Sequence, residues 1–298
     1  MKVLVTGGSG VIGSKLVSNF VADRNDVLYT YLSRNIPVEG AQPVELDITN
    51  RKNTTDLIAD FNPDLVFHCS ALTKVDLCET NPEIAEKINV QGTKNVVDAA
   101  KKAGSKIAYI STSFVFDGKK KTFDENDKTH PVDQYGLTKL KGEEITRKSG
   151  QPFLILRTDH PYRWSPLHLE KNNVMRLIGL FERGEKINDA TDWYNTPTLV
   201  DNFSEASASM IKKWEDGIYH VVGSDFVNRY DFACKVADLM GEDKKLINKI
   251  KATDLKLPAR RPNVHMNNEK IQEKTGVKML GIEDGIKIVL KQRELSKC

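Results

Sequence analysis

Tyr135 and Lys139 stand four residues apart in a stretch of helical character, residues 133–144. On a helix such positions share a face, so phenol and ammonium project side by side. A phenol is a poor base at neutral pH, with an ordinary pKa near ~10. An adjacent ammonium favours the phenolate, and the pair is then equipped to exchange protons with a substrate oxygen. A hydroxyl facing the phenol would hold a carbonyl between two donors. Thr112, in Ser111-Thr-Ser113 behind an apolar strand, is the candidate. With a nicotinamide nearby, Thr112, Tyr135 and Lys139 make a catalytic set for reversible hydride transfer to a ketone.

The element that must supply the nicotinamide opens the chain. Residues 3–5 are apolar and β-prone, and they run into Thr6-Gly-Gly-Ser-Gly-Val-Ile-Gly13. Gly7, Gly10 and Gly13, three apart between a strand and a helix, suit a pyrophosphate held at a helix N-terminus, with Val11 and Ile12 in the cradle. A second strand over residues 26–34 ends in Ser33 and Arg34, where the cofactor ribose sits in such folds. An acidic residue there would suit NAD, whereas a guanidinium suits a 2′-phosphate. NADPH is therefore the expected cofactor, with NADH possible. Residues 42–48 read as a short third strand, with Asp47 and Ile48 toward the adenine. Thr49 or Asn50 caps a helix over 51–61. A fourth strand, 63–68, leads into a small-residue loop offering Ser70, Ala71 and Thr73. Asn81 and Pro82 open a long helix to about Lys102. The strands 106–110 and 153–157 deliver Thr112 and the residues around 158 to the same sheet edge.

Alternating strands and helices through residue 157 predict a Rossmann-type, doubly wound parallel α/β sheet over 1–157. Residues 158–298 read as a smaller, mostly helical substrate lobe, not independent, that packs back on the sheet edge. Helices are expected near 170–183, 199–214, 229–240 and 282–295, with a strand-like piece at 218–222. The chain has 298 residues, 39% hydrophobic and 29% charged, with a net charge of +3 that is too small to imply nucleic acid. No apolar run reaches membrane-spanning length, and the first residues form a strand instead of a signal peptide. Cys69, Cys78, Cys234 and Cys298 are scattered without metal-ligand spacing and read as reduced thiols of a cytoplasmic protein.

These residues resemble the extended short-chain dehydrogenases/reductases, and within them the dTDP-4-dehydrorhamnose reductase family. The matching stretches are Thr6 to Gly13, Ala71-Leu-Thr-Lys-Val-Asp76, Asn89-Val-Gln-Gly-Thr93, Ser111-Thr-Ser-Phe-Val-Phe-Asp-Gly118, Asp124-Glu125, Pro131 to Glu143 and Arg260-Arg-Pro262. The resemblance implies reduction of the 4-keto group of a nucleotide-linked deoxyhexose, with Thr112, Tyr135 and Lys139 as catalytic trio and Val75 and Asp76 against the sugar. Two positions depart from the family pattern. Ser113 stands where the family has Asp, and Thr158-Asp-His160 replaces a Thr-Ser-Trp motif whose Trp faces the sugar. Ser113 and His160 are accordingly the candidate substrate contacts that differ, with Trp164 or Trp193 as a substitute aromatic wall. Some relatives dimerise, so a homodimer is an open expectation. Two other functions compete. A nucleotide-sugar 4-epimerase or dehydratase would hold NAD tightly, and a regulatory subunit would keep the fold without catalysis.

Overall fold

The computed structural model describes residues 1–165, 167 and 172–296. Its centre is a seven-stranded sheet. In chain order the strands are β1 (Lys2–Thr6), β2 (Asp26–Tyr31), β3 (Gln42–Glu45), β4 (Leu65–His68), β5 (Lys106–Thr112) and β6 (Phe153–Thr158), joined by a later strand, Gly217–His220. Across the sheet the order is Gly217–His220, β6, β5, β4, β1, β2, β3, with every neighbour parallel.

Alternate residues of a strand face opposite sides, and β1 divides its side chains accordingly. Val3 and Val5 join one core with Leu16, Phe20, Phe67, Phe203 and Met210. Leu4 joins the other with Val66, Ile58, Val96 and Ile107. The first side is covered by helices α1 (Val11–Ala22) and Val200–Lys213, the second by α2 (Arg51–Phe61) and Thr93–Lys102. All four residues of β4 are buried, as a central parallel strand requires. A further core, around Phe181, Phe232, Ile286 and Val289, binds the helices Asn173–Glu182, Arg229–Met240 and Ile282–Leu295 to one another.

The differences from the sequence reading are local. β2 stops at Tyr31 and β3 at Glu45, which leaves Ser33, Arg34 and Asp47 exposed on loops. Asn50, not Thr49, caps α2, accepting from the Asn53 amide at 3.1 Å. The long helix from residue 82 is three pieces. Pro82–Ala85 and Thr93–Lys102 flank a π-helical segment, Glu86–Gly92. Pro82 does open the first piece, but the Asn81 side chain makes no capping bond. A short helix, Val75–Thr80, occupies the end of the expected loop. Residues 158–298 return to the sheet itself. Gly217–His220 lies beside β6, because Ile218 and Tyr219 extend a buried apolar edge, and Val200–Lys213 covers α1. The helix expected near 170–183 is described from Asn173; residues 170 and 171, and Cys298, lie outside the described residues. Among the described residues no helix is long and apolar enough to cross a membrane.

Candidate active site

The chain leaves β1 and β4, which are neighbours, for opposite edges of the sheet, and their carboxyl ends form a crevice of the kind that binds nucleotides. Gly7 lies in it with φ +65°, and a methyl group there would stand 2.9 Å from the Ser70 amide nitrogen. At Gly13 the same methyl would come within 2.3 Å of the Gly7 carbonyl oxygen. Only glycine permits both close approaches. The loop is anchored to the end of β2, since Gly8 N–H donates to the Thr30 carbonyl at 2.8 Å and Gly7 N–H to the Thr30 hydroxyl at 3.2 Å. Gly10 precedes α1 in extended conformation, and no side chain caps the helix. Its first turn, Val11 to Gly13, is thus presented bare to an anion. This is a cradle that a dinucleotide pyrophosphate fits.

The remaining cofactor candidates lie on the loops that follow β2, β3 and β4. Arg34 is exposed, and its guanidinium donates to the Leu167 carbonyl at 3.3 Å. Ser33 is exposed beside it. Asp47 is spent locally, its carboxylate accepting the Thr49 amide at 2.8 Å, while Ile48 is buried against Gly92. Ser70 donates its amide to the Thr6 hydroxyl at 3.3 Å, and Ala71 and Thr73 follow it along the loop. That loop is held by Asn89 of the π-helical segment. The Asn89 side chain accepts from the Leu72 amide at 2.7 Å, and donates to the Leu72 carbonyl at 3.1 Å and to the Thr138 hydroxyl at 3.0 Å.

Tyr135 and Lys139 lie on helix α6, taken here as Gln134–Arg147. Asp133 caps it, accepting the Gly136 amide at 2.9 Å. A methyl at Gly136 would stand 2.1 Å from the Phe114 carbonyl oxygen, so glycine lets the start of the helix sit directly on the segment after β5. Thr112 ends β5, buried, and its hydroxyl accepts the Phe114 amide at 3.3 Å. Tyr135 meets Phe114 edge-on, centroids 5.5 Å apart. The structure brings the Thr112 and Tyr135 side chains into contact, and Lys139 follows one turn along the same helix.

Their electrostatics differ from the sequence expectation. Burial pushes the Tyr135 phenol up, with a side-chain hydrogen bond to Thr112 acting in the opposite sense. Lys139, 4% exposed, is itself drawn down to about 7 by burial, against the pull of Glu143 and Cys69. Its ammonium sits over the Tyr109 ring, 4.0 Å from the centroid. Desolvation, which spacing along a helix does not report, dominates both groups, and the groups that act on the phenol are Thr112, Cys78, Asp133 and Asp159 instead of the lysine.

Beneath the trio lies a buried network that the sequence reading missed. Glu143, one turn beyond Lys139, accepts from Ser111 at 2.5 Å and from Arg157 at 2.9 and 2.8 Å. Arg157 also donates to His220 at 3.4 Å. This network ties α6 to β5 and β6 from below.

The two departing positions meet each other. Ser113 donates its hydroxyl to Asp159 at 2.7 Å, and Asp159 also accepts the Thr196 amide at 2.7 Å and His160 Nδ1 at 2.8 Å. His160 has φ +38°, and its ring lies 6.4 Å from Phe114 and 5.9 Å from Trp193. Trp193, which the sequence could not place, therefore stands at the site; Trp164 packs instead against the outer helices. A small, mostly apolar cavity beyond His160 is lined by Tyr162, Pro197, Val227 and Phe232 together with Asn173, Asn195 and Arg229. Asp76 is tied to this group through Arg261, whose guanidinium lies 5.6 Å from the Trp193 ring centroid. Its carboxylate holds the Ala259 amide at 3.1 Å and Arg261 at 2.7 Å, so it fastens the 259–261 loop, while Val75 opens the short helix beside it.

Known proteins agree with this geometry. Residues 1–295 match the model of the RmlD substrate binding domain family. The chain is 30% identical over 290 residues to a dTDP-4-dehydrorhamnose reductase of Aggregatibacter actinomycetemcomitans, covering 93% of this chain and 94% of that one. It is 28% identical over 246 residues to the methionine adenosyltransferase 2 subunit beta of Xenopus laevis, covering 80% and 71%. A solved dTDP-4-dehydrorhamnose reductase of Bacillus anthracis, in complex with NADP, superposes with a TM-score of 0.87 at 25% identity, over 98% of this chain and 99% of that one. The glycine cradle, the Thr112/Tyr135/Lys139 cluster and an end-to-end match together place this chain in the RmlD, or dTDP-4-dehydrorhamnose reductase, family of extended short-chain dehydrogenases/reductases.

Proposed function

We propose that this protein is an NAD(P)H-dependent oxidoreductase that reduces the 4-keto group of a nucleotide-linked deoxyhexose, a substrate of the kind for which its dTDP-4-dehydrorhamnose reductase relatives are named. What supports the reading is the side-chain contact of Thr112 with Tyr135, with Lys139 one turn on along the helix, beside the bare first turn of α1. Gly7, Gly10, Val11, Ile12 and Gly13 would hold the pyrophosphate, Ser33 and Arg34 the ribose end, and Ser70, Ala71 and Thr73 the middle of the cofactor. When bound, the cofactor supplies the hydride for the carbonyl carbon.

The chain's own residues handle the proton. Burial keeps the Tyr135 phenol protonated, as a donor to the substrate oxygen must be. Thr112 shares that oxygen and sets its direction. Lys139, drawn down to about 7, gives or takes a proton near neutrality and can restore the one that Tyr135 loses. Residues 158–298 supply the substrate side, with Asp76 and Arg261 latching their loop to the nucleotide side. A homodimer is part of the proposal. Exposed Leu77, Ile84 and Leu137 stand on helical elements that pack together, and light scattering would give the mass. Free Cys69, Cys78 and Cys234 suit a cytoplasmic setting.

The test is turnover of dTDP-4-dehydrorhamnose with NADPH, followed by loss of reduced-nicotinamide absorbance. Tyr135→Phe should bind NADPH normally while kcat falls by about 10²–10⁴-fold. Wild-type activity in that variant would refute the mechanism. Arg34→Ala should weaken NADPH binding by about tenfold and leave NADH unchanged, a loss of about 1.4 kcal/mol for one exposed charge-assisted contact. Equal losses would exclude a 2′-phosphate role. A regulatory subunit would show neither turnover nor dependence on Tyr135, and the intact trio argues against it.

A further inference from the structure

Lys139 reaches the site with its charge resting on a ring. Tyr109 of β5 is buried, and the Lys139 ammonium lies over its face, 4.0 Å from the centroid. The same side chain holds the lysine a second time, its hydroxyl donating to the Lys139 carbonyl at 3.3 Å. Burial pushes the Tyr109 phenol up, so the ring stays neutral and the hydroxyl stays a donor. Gly142, one turn beyond Lys139, makes the approach possible, because a methyl there would stand 2.1 Å from the Tyr109 oxygen. The titratable neighbours do not replace this contact. Glu143 on α6 pulls on the ammonium but is taken up by Ser111 and Arg157, and among the described residues no carboxylate forms an ion pair with Lys139. Cys69, after β4, pulls less, and burial keeps its thiol protonated. His68 on β4 lies beside the ring, centroids 5.6 Å apart, and burial holds it to about 3, so it is uncharged near neutral pH. Burial likewise keeps Tyr135 protonated. An aromatic face attracts a cation most where water is excluded, and Tyr109 offers one directly beneath the ammonium.

We propose that Tyr109 is a positioning residue for the reduction, its ring seating the Lys139 ammonium and its hydroxyl fixing the backbone that carries it. The inference rests on the oxidoreductase reading above and deepens it. A neutral amine gains little from the ring, so the contact favours the ammonium and opposes the loss of its proton to burial. Lys139, drawn down to about 7, stands where a small push decides how much of it is charged at neutral pH. The ring supplies that push.

Carbon NMR of the lysine side chains in the full chain tests this apart from turnover, the Lys139 resonance being identified by its loss in Lys139→Met. Tyr109→Phe keeps the ring, and the Lys139 titration midpoint should match that of the wild type. Tyr109→Leu should lower the midpoint by about one pH unit. Fluorinated phenylalanines at the same position keep the shape but strip the face of its negative charge, so the midpoint should fall stepwise with fluorination. That series also decides the matter if Tyr109→Leu fails to fold. The lysine-dependent limb of the kcat profile for dTDP-4-dehydrorhamnose should move to lower pH in step. A midpoint unmoved across the series, or one that rises in Tyr109→Leu toward the ordinary lysine value, overturns the proposal, because a merely structural ring would act only by excluding water. A midpoint that follows the series without turnover of that substrate would refute the parent reading and leave the ring's hold on the ammonium standing.

Discussion

Two carboxylates lie at the carboxyl ends of β5 and β6, and both accept a serine hydroxyl from the β5 side. Glu143 takes Ser111 and is closed in by Arg157, which is 2% exposed. Asp159 takes Ser113 and is joined by a histidine that reaches the surface. Ser111 and Ser113 are two residues apart, so the chain repeats one contact at successive levels, one below the reacting groups and one beside them. The lower carboxylate has a full-charge partner and no access. The upper one is held by Ser113, the Thr196 amide and His160, and has an outlet through His160. The difference teaches that the partner, more than the carboxylate, separates a clamp from a site.

Breaking the clamp should have the largest effect. Glu143→Ala leaves Arg157 buried without its counter-charge, and should cost about 3–5 kcal/mol in denaturant unfolding. A loss under about 1 kcal/mol would mean that water reaches the guanidinium and that the two levels are alike.

Acid should find the clamp next. Burial, with the Arg157 charge, holds His220 down to about 3 from 6.5. The unfolded chain therefore takes the proton first, and stability is lost as pH falls from 6.5 toward 3, by about 1.4 kcal/mol per pH unit for this group. His68, also held to about 3 by burial, adds to the slope. Asp133, raised to about 6 from 3.8 chiefly by burial, opposes it between those values, because the folded state binds that proton first. Thermal melts of His220→Asn should show a flatter dependence over this range than the wild type.

The smallest and most discriminating comparison deletes one hydroxyl at each level. Ser111→Ala and Ser113→Ala should each cost about 1 kcal/mol of stability. Only Ser113→Ala should raise KM for the sugar. A matching change in KM for Ser111→Ala would erase the distinction between the levels.

The contrast also marks what the sequence could tell. Gly7, Gly10 and Gly13, and the Tyr135/Lys139 pair, act through spacing within a single strand–helix or helix, where periodicity is a physical signal. The parallel sheet follows from alternating elements for the same reason, whereas its strand order and its seventh strand, Gly217–His220, come only with the packed fold. Asp159 is different, because its role depends on Thr196 and Ser113, which only the packed sheet edge brings to it. Trp193 and the Asp76–Arg261 latch are likewise products of tertiary contact. The Tyr135 phenol shows the limit most directly. The lysine one turn away is visible in the sequence, but the burial that sets the phenol's proton affinity is not.

Asn89 gives the cofactor loop an unusual clock. Its side chain pairs with both backbone groups of Leu72, as a neighbouring strand would, and is tied in turn to Thr138 on α6. The Leu72 amide, though outside any strand or helix, exchanges with solvent only when that joint opens. Isotope exchange at one loop position thus reports on the seam between the π-helical segment and α6.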